Sequence, residues 1–426
     1  MSTQVCIRLV IALISSLLFG CDYGHKQYRQ TSHTPGTGPL VIEIDDYGRF
    51  WNPKAAEETL DAIAKASLNK NTVVMAFIHG WHHNADDCDE NFKNFHKSLG
   101  ELQSRLDEPA YRDARKKLNL NDDIQVIGLY VGWRGRALPS FADYFTFWTR
   151  KSAAERVGDG DLREFLTRLQ KIYIKRNEQQ DSVDTTFMGL VTVGHSFGGQ
   201  VLFKAVSGSL ERDLIDALSR GTKDPASNKI SLTEIVSGFG DMTVLLNPAL
   251  EAFQYERIHR LTRSSTFTSR QAPVLLTVSA EDDSARKYWF PLGRNLNLLF
   301  RPTFPDDKGK ELWTTALGEY IPQQTHYLER TDEPSDLEDS LYYDCRIKHE
   351  DFSGRHILGN AQLKPQEERA QSYSPVVIAH TSNKIVHEHT GIFGETFSEF
   401  LTDYVANIEA KRLCLIRESR QNAHAK

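Results

Sequence analysis

LVTVGHSFGGQVLFKAV, Leu190–Val206, is the stretch on which the fold turns. Apolar and β-branched residues lead into Gly194-His195-Ser196-Phe197-Gly198, and an amphipathic run follows. A serine on so sharp a strand-to-helix turn is forced into a strained backbone conformation. Its neighbours two residues away must be small, because strand and helix nearly collide there. Gly194 and Gly198 meet that demand. Such a turn lifts the hydroxyl clear of the sheet and sets the next N–H beside it. A Gly-x-Ser-x-Gly pattern alone arises by chance at a level of about 0.15 in a chain of this length. Its weight comes from its place between a strand and a helix.

Outward from this turn, strands and helices alternate. Strands are expected over 41–44, 72–80, 123–133, 187–194, 241–250, 272–280 and 374–382, and helices over 53–68, 89–106, 197–219 and 394–412. The run 152–176 reads as helix broken near Gly158 and Gly160. Several of the strands are near-continuous Val/Ile/Leu runs, which means both sheet faces are covered. Alternation with helices gives a mostly parallel sheet with right-handed crossovers. No internal repeat is present.

The 426 residues, 40% of them apolar, can build a large core, and the net charge of −6 is mild. No block of Lys and Arg offers a footprint for nucleic acid. The first twenty residues differ in character: one cation, Arg8, then an apolar run from Leu9 to Phe19. That run is short for a bilayer span and fits the core of a signal peptide. It ends in Leu18-Phe19-Gly20-Cys21, which resembles a bacterial lipobox and makes Cys21 the expected lipidation site. Asp22 resembles the signal that retains such lipoproteins at the inner membrane, facing the periplasm. Residues 21–40 read as a flexible tether. Of the remaining cysteines, Cys88, Cys345 and Cys414, two could pair outside the cytoplasm and leave one over.

The glycine-flanked serine, with these strands around it, resembles the α/β-hydrolase superfamily, whose nucleophile elbow has this form. The likeness runs from about residue 41 to 412. It implies an α/β-hydrolase fold and a serine hydrolase of the esterase or lipase type, with the triad in the order Ser, Asp/Glu, His. Ser196 is then the nucleophile. The acid follows the strand "VLLTVSA" in Glu281-Asp282-Asp283, with Asp283 ahead of Asp282 and Glu281. Acids in such a place also cap helices. The base lies before the last helix, with His389 ahead of His387, while His380 reads as structural. The oxyanion hole needs two N–H donors. Phe197 supplies one, and the turn His79-Gly80-Trp81 implies Trp81 as the other, with His82 as alternate.

Two further readings stay open. The cluster His79, His82, His83, Asp86 and Asp87 invites a metal, though its spacing fits no helical His pair. A binding protein that has lost catalysis is the other. No metal or organic cofactor is expected. The expected partners are a small-molecule or lipid ester and a membrane reached through the N-terminal lipid, with oligomeric state undetermined. The segments 134–160 and 285–370 read as cap insertions over the pocket, and 413–426 as a tail. The aromatics Phe141, Tyr144, Phe145, Phe147, Trp148, Tyr288, Trp289, Phe290 and Phe300 would face acyl or aromatic substrates, or pack as core.

Overall fold

The computed structural model of the chain describes residues 27–28, 38–117, 120–136, 146–178, 186–291, 304, 306–333 and 349–424. Eight strands lie parallel in one sheet, in the order β1 (Leu40–Ile44), β3 (Ile124–Trp133), β2 (Asn71–Ile78), β4 (Met188–His195), β7 (Met242–Leu246), β9 (Leu275–Ala280), β13 (Val376–Thr381) and β10 (His326–Arg330). Two antiparallel strands, β12 (Ala361–Pro365) and β11 (His356–Leu358), complete the ten. Three two-residue strands, β5 (Thr222–Lys223), β6 (Ile230–Ser231) and β8 (Ser265–Thr266), form a separate small sheet.

Both faces of the sheet are covered, as the unbroken apolar strands require. One apolar cluster packs α1 (Pro53–Ala66), α4 (Phe147–Asp159), α5 (Asp161–Glu178), α6 (Phe197–Arg220) and α7 (Ala252–Arg263) onto it. The other holds α2 (Glu90–Leu106) and α9 (Glu395–His424). Every residue of β4 is buried, and β4 pairs with β2 on one side and β7 on the other. Ser196 therefore leaves the sheet near its middle, at the carboxyl edge, where open parallel sheets place their ligands. A large, mostly parallel sheet with helices on both faces and a strand–serine–helix turn near its centre is the α/β-hydrolase fold.

The cap expectation needs correcting in two places. Within 134–160, residues 147–159 form α4, which belongs to the core. Ala153, Ala154 and Val157 are fully buried against α6. Gly158 lets the two helices touch: a Cβ there would lie 2.7 Å from the carbonyl oxygen of Val201. Within 285–370, β10, β12 and β11 lengthen the main sheet rather than roof the pocket. Phe290 is buried in the same cluster as α4, not exposed above a site. Phe141, Tyr144, Phe145 and Phe300, like Cys21 and Cys345, lie outside the described residues. Cys88 and Cys414 are both disulfide-bonded.

Candidate active site

The turn after β4 shows why its sequence is fixed. Ser196 holds φ +55°, ψ −122°, a conformation that side chains adopt only under constraint. The constraint is tight on both sides. A Cβ on Gly194 would lie 2.6 Å from the Gly198 carbonyl oxygen, and a Cβ on Gly198 would strike the carbonyl of Ile78. Hydrogen bonds lock the turn to the next strand: Ser196 N–H donates to Leu246 O at 3.0 Å, and Ala249 N–H donates to Ser196 O at 3.0 Å.

Two distances define the chemistry. The Ser196 hydroxyl donates to His389 Nε2 at 2.7 Å. His389 Nδ1–H donates to Asp283 Oδ2 at 2.7 Å. Asp283 is fully buried. Burial pushes its carboxyl up, but the hydrogen bond and charge of His389 and the charge of Arg286 outweigh that and hold it well below the usual carboxylate range. An ionised acid behind an imidazole, with a hydroxyl before it, can take a proton from that hydroxyl and stabilise the resulting imidazolium.

The other candidates fall elsewhere. His387 Nδ1 pairs with Asp282 Oδ2 at 2.9 Å on the surface, and Asp282 Oδ1 accepts the Glu388 N–H at 2.8 Å. These two alternates thus pair with each other and brace the loop that carries His389. Glu281 is exposed, and its backbone N–H bonds to Thr381 O. His380 lies mostly buried, 3.9 Å from Glu319.

The His79-Gly80-Trp81 turn runs directly against the serine, since a Cβ on Gly80 would sit 2.8 Å from Ser196 Cβ. His79 braces it. Its Nε2 accepts the Trp133 N–H at 3.1 Å, its Nδ1 faces Gly80 O at 2.9 Å, and its carbonyl accepts the Trp133 indole N–H at 2.8 Å. Burial lowers the His79 ring to about 4, so it is neutral and can accept. Phe197 opens α6, where the first N–H groups have no partner within the helix. The N–H of His82, the alternate, points away to Gly135 O at 3.3 Å. The indole of Trp81 and the rings of Phe147 and Phe197 form a cluster with centroids 5.2–6.0 Å apart.

The His- and Asp-rich loop does not converge on a point. His83 bonds Asp89 at 3.1 Å, and Asp89 caps α2 through Asn91 N–H. Asp86 accepts the Cys88 N–H at 2.9 Å. Among the described residues no three His, Cys, Asp or Glu side chains are arranged to hold a metal.

Two further residues take part without having been singled out in the sequence. Asn247, at φ +43°, donates through Nδ2 to the carbonyls of Glu388 and His389 at 3.1 and 3.0 Å and accepts the Ala280 N–H at 2.8 Å. His195 joins it with Nε2 2.8 Å from His389 O. Burial, with the adjacent His389 charge, pushes the His195 ring well below its usual range, so Nε2 donates as a neutral imidazole. The only available signal was the polar Asn-Pro closing the apolar run "VLLNPAL".

No family model matches the chain, and no curated protein matches it in sequence. Among solved structures, the chain is similar to the crystal structure of a C6-C4 SN3 inhibited esterase B from Lactobacillus rhamnosis. Identity is 9% and the TM-score 0.28, over 99% of this chain and 98% of that one. So low a score carries no argument about activity. The hydrolase-like fold rests on the sheet and the turn described above.

Proposed function

We propose that this chain is a serine hydrolase that cleaves carboxylic esters through an acyl-enzyme. The observation that carries the proposal is the unbroken hydrogen-bonded line Ser196–His389–Asp283, with both links at 2.7 Å. Ser196 Oγ attacks the ester carbonyl while its proton moves to His389 Nε2. The N–H groups of Phe197 and Trp81 bind the oxyanion that forms. His389 then protonates the departing alkoxide, leaving the acyl group on Ser196. Water, deprotonated by the same imidazole, attacks the acyl carbon and releases the acid. Asp283 stays ionised throughout and holds the imidazole in the tautomer with Nδ1–H. No step calls for a metal or an organic cofactor.

We further propose that the domain is held at a bacterial membrane by lipid on Cys21, at the inner membrane and facing the periplasm. The disulfide-bonded Cys88 and Cys414 fit an oxidising compartment of this kind. Among the described residues no helix is long and apolar enough to cross a membrane.

A fluorophosphonate probe tests the chemistry. Wild-type protein should label covalently, and Ser196→Ala should abolish labelling and ester hydrolysis together. Labelling that persists in Ser196→Ala, or hydrolysis that survives it and disappears with a chelator, would overturn the proposal. A series of p-nitrophenyl esters from acetate to palmitate reads the acyl preference.

A further inference from the structure

Behind the acid stands a buried arginine that the proposed reaction does not use. Arg286 is about 1% exposed and sits in a short π-helical turn, Ala285–Trp289, three residues past Asp283. Its Nε–H donates to Asp283 Oδ2 at 2.8 Å, and its backbone N–H donates to Oδ1 at 3.0 Å. Oδ2 is the oxygen that also receives His389 Nδ1–H. The far side of the guanidinium is equally occupied. Nη1 donates to Ser279 Oγ at 2.6 Å and Leu317 O at 3.3 Å, while Nη2 donates to Ala280 O at 3.4 Å and to the Glu319 carboxylate. Gly318, at φ +91°, allows the 317–319 turn to approach this closely, since any Cβ there would strike Ser279 Oγ. Charges therefore alternate along one line: imidazole, Asp283, Arg286, Glu319.

We infer that Arg286 and Glu319 are positioning residues that fix the Asp283 carboxylate and set the pH range over which Ser196 and His389 react; this rests on the serine-hydrolase proposal above. A guanidinium bonded to Oδ2 draws off part of the negative charge that would otherwise stabilise an imidazolium at His389. Glu319 returns part of it by neutralising the guanidinium. The geometry makes Arg286 necessary for orientation as well, because it holds both carboxylate oxygens and so prevents Asp283 from rotating away from Nδ1.

Other titratable and charged groups face this line from each element around it. From β4 comes His195, kept neutral by burial. The turn after β9 brings Glu281 and Asp282, the latter tied to His387. Beside Arg286 in the π-helical turn is Lys287, and the base's own loop carries His387 and Glu388. From β13 comes His380, which burial, with the charges of Arg286 and Lys287, lowers to about 4. Among the described residues, Arg286 is the charged group that shares Asp283 Oδ2 with His389, and Glu319 is the second carboxylate, after Asp283, that pairs with Arg286.

The test compares the acidic limb of the rate profile in four forms of the full chain: wild type, Arg286→Gln, Glu319→Gln and the double variant. Both ester kcat/KM and the rate of fluorophosphonate inactivation are followed against pH. Arg286→Gln should move the limb to higher pH by about one unit, because the imidazolium then sees an uncompensated carboxylate. Glu319→Gln should move it the opposite way, and the double variant should return it toward wild type. Should Arg286→Gln fail to fold, Glu319→Gln still decides the matter, since Glu319 lies at the partly exposed end of the line. A purely structural role predicts losses in kcat with no movement of the limb, and either that result or shifts of the same sign in both single variants would overturn the inference. If labelling proves independent of Ser196, the functional proposal falls and this one with it. If labelling depends on Ser196 but the limbs stay fixed, only this inference falls.

Discussion

Two acid–histidine pairs lie side by side in this molecule, one residue apart in the acid and two apart in the base. Asp283 and His389 meet at 2.7 Å, and Asp282 and His387 meet at 2.9 Å. The chemistry of the partners is the same, yet their surroundings differ. Asp283 has no exposure and His389 is 23% exposed, whereas Asp282 is 24% and His387 71% exposed. An exposed pair is screened by water and contributes little, while a buried one polarises its partner strongly. Position relative to the serine completes the difference, because only His389 reaches Ser196. The turn after β9 supplies both acids because consecutive residues there point to opposite sides. Asp283 turns inward toward Arg286, and Asp282 outward to brace the loop.

The largest consequence of this contrast is expected in activity. Asp283→Asn should cut kcat by about 10⁴-fold, because an amide permits the wrong imidazole tautomer and cannot stabilise the imidazolium. Asp282→Asn should change kcat by less than about tenfold, since the outer pair only steadies the loop. Ester turnover by the two purified variants checks both, and equal losses would erase the distinction. Between these extremes stands the turn opposite the serine. Gly80→Ala forces a Cβ within 2.8 Å of Ser196 Cβ and 3.0 Å of His195 O, so one side must move. If this turn holds the oxyanion as proposed, displacing it should lower kcat about 10²-fold with KM little changed. A KM effect alone would show that this turn binds substrate instead.

The same division between inner and outer surroundings explains what could be read from sequence. The serine turn was legible because its steric demand is local: residues 194, 196 and 198 constrain one another whatever surrounds them. The parallel strands were legible because strands covered on both faces are apolar throughout. Strand β10 carries no such mark. Its sequence, His-Tyr-Leu-Glu-Arg, alternates buried and exposed positions, its neighbour β12 is just as short, and β11 beyond β12 is shorter still. Helix α4 reads as cap from sequence because aromatic residues crowd its start, whereas Ala153, Ala154 and Gly158 place it against α6. Asn247 and Arg286 are illegible in the sequence for a different reason. Asn247 acts on residues more than a hundred positions away, and the far end of Arg286 is held by residues 317 and 319. No local pattern encodes such contacts.

The smallest expected effect is silent at neutral pH and appears only in stability. His79 and His326 are buried, and burial lowers both rings to about 4. His79 accepts a backbone N–H at Nε2, and His326 Nε2 donates to Ser353 O at 2.9 Å. In the unfolded chain each takes up its proton near pH 6.5, the ordinary value. Between about pH 6.5 and about 4 the unfolded state therefore binds more protons than the folded one, and stability falls as pH falls through that window. Above it, both states are neutral at these rings and the effect vanishes. His326→Gln should accordingly flatten the dependence of unfolding free energy on pH by about one proton, roughly 1.4 kcal/mol per pH unit within the window. Chemical denaturation at a series of pH values reads that slope directly. A slope identical to wild type would mean that the His326 ring is protonated in the fold and that burial does not govern it. The contrast between inner and outer histidines would then need a cause other than access to water.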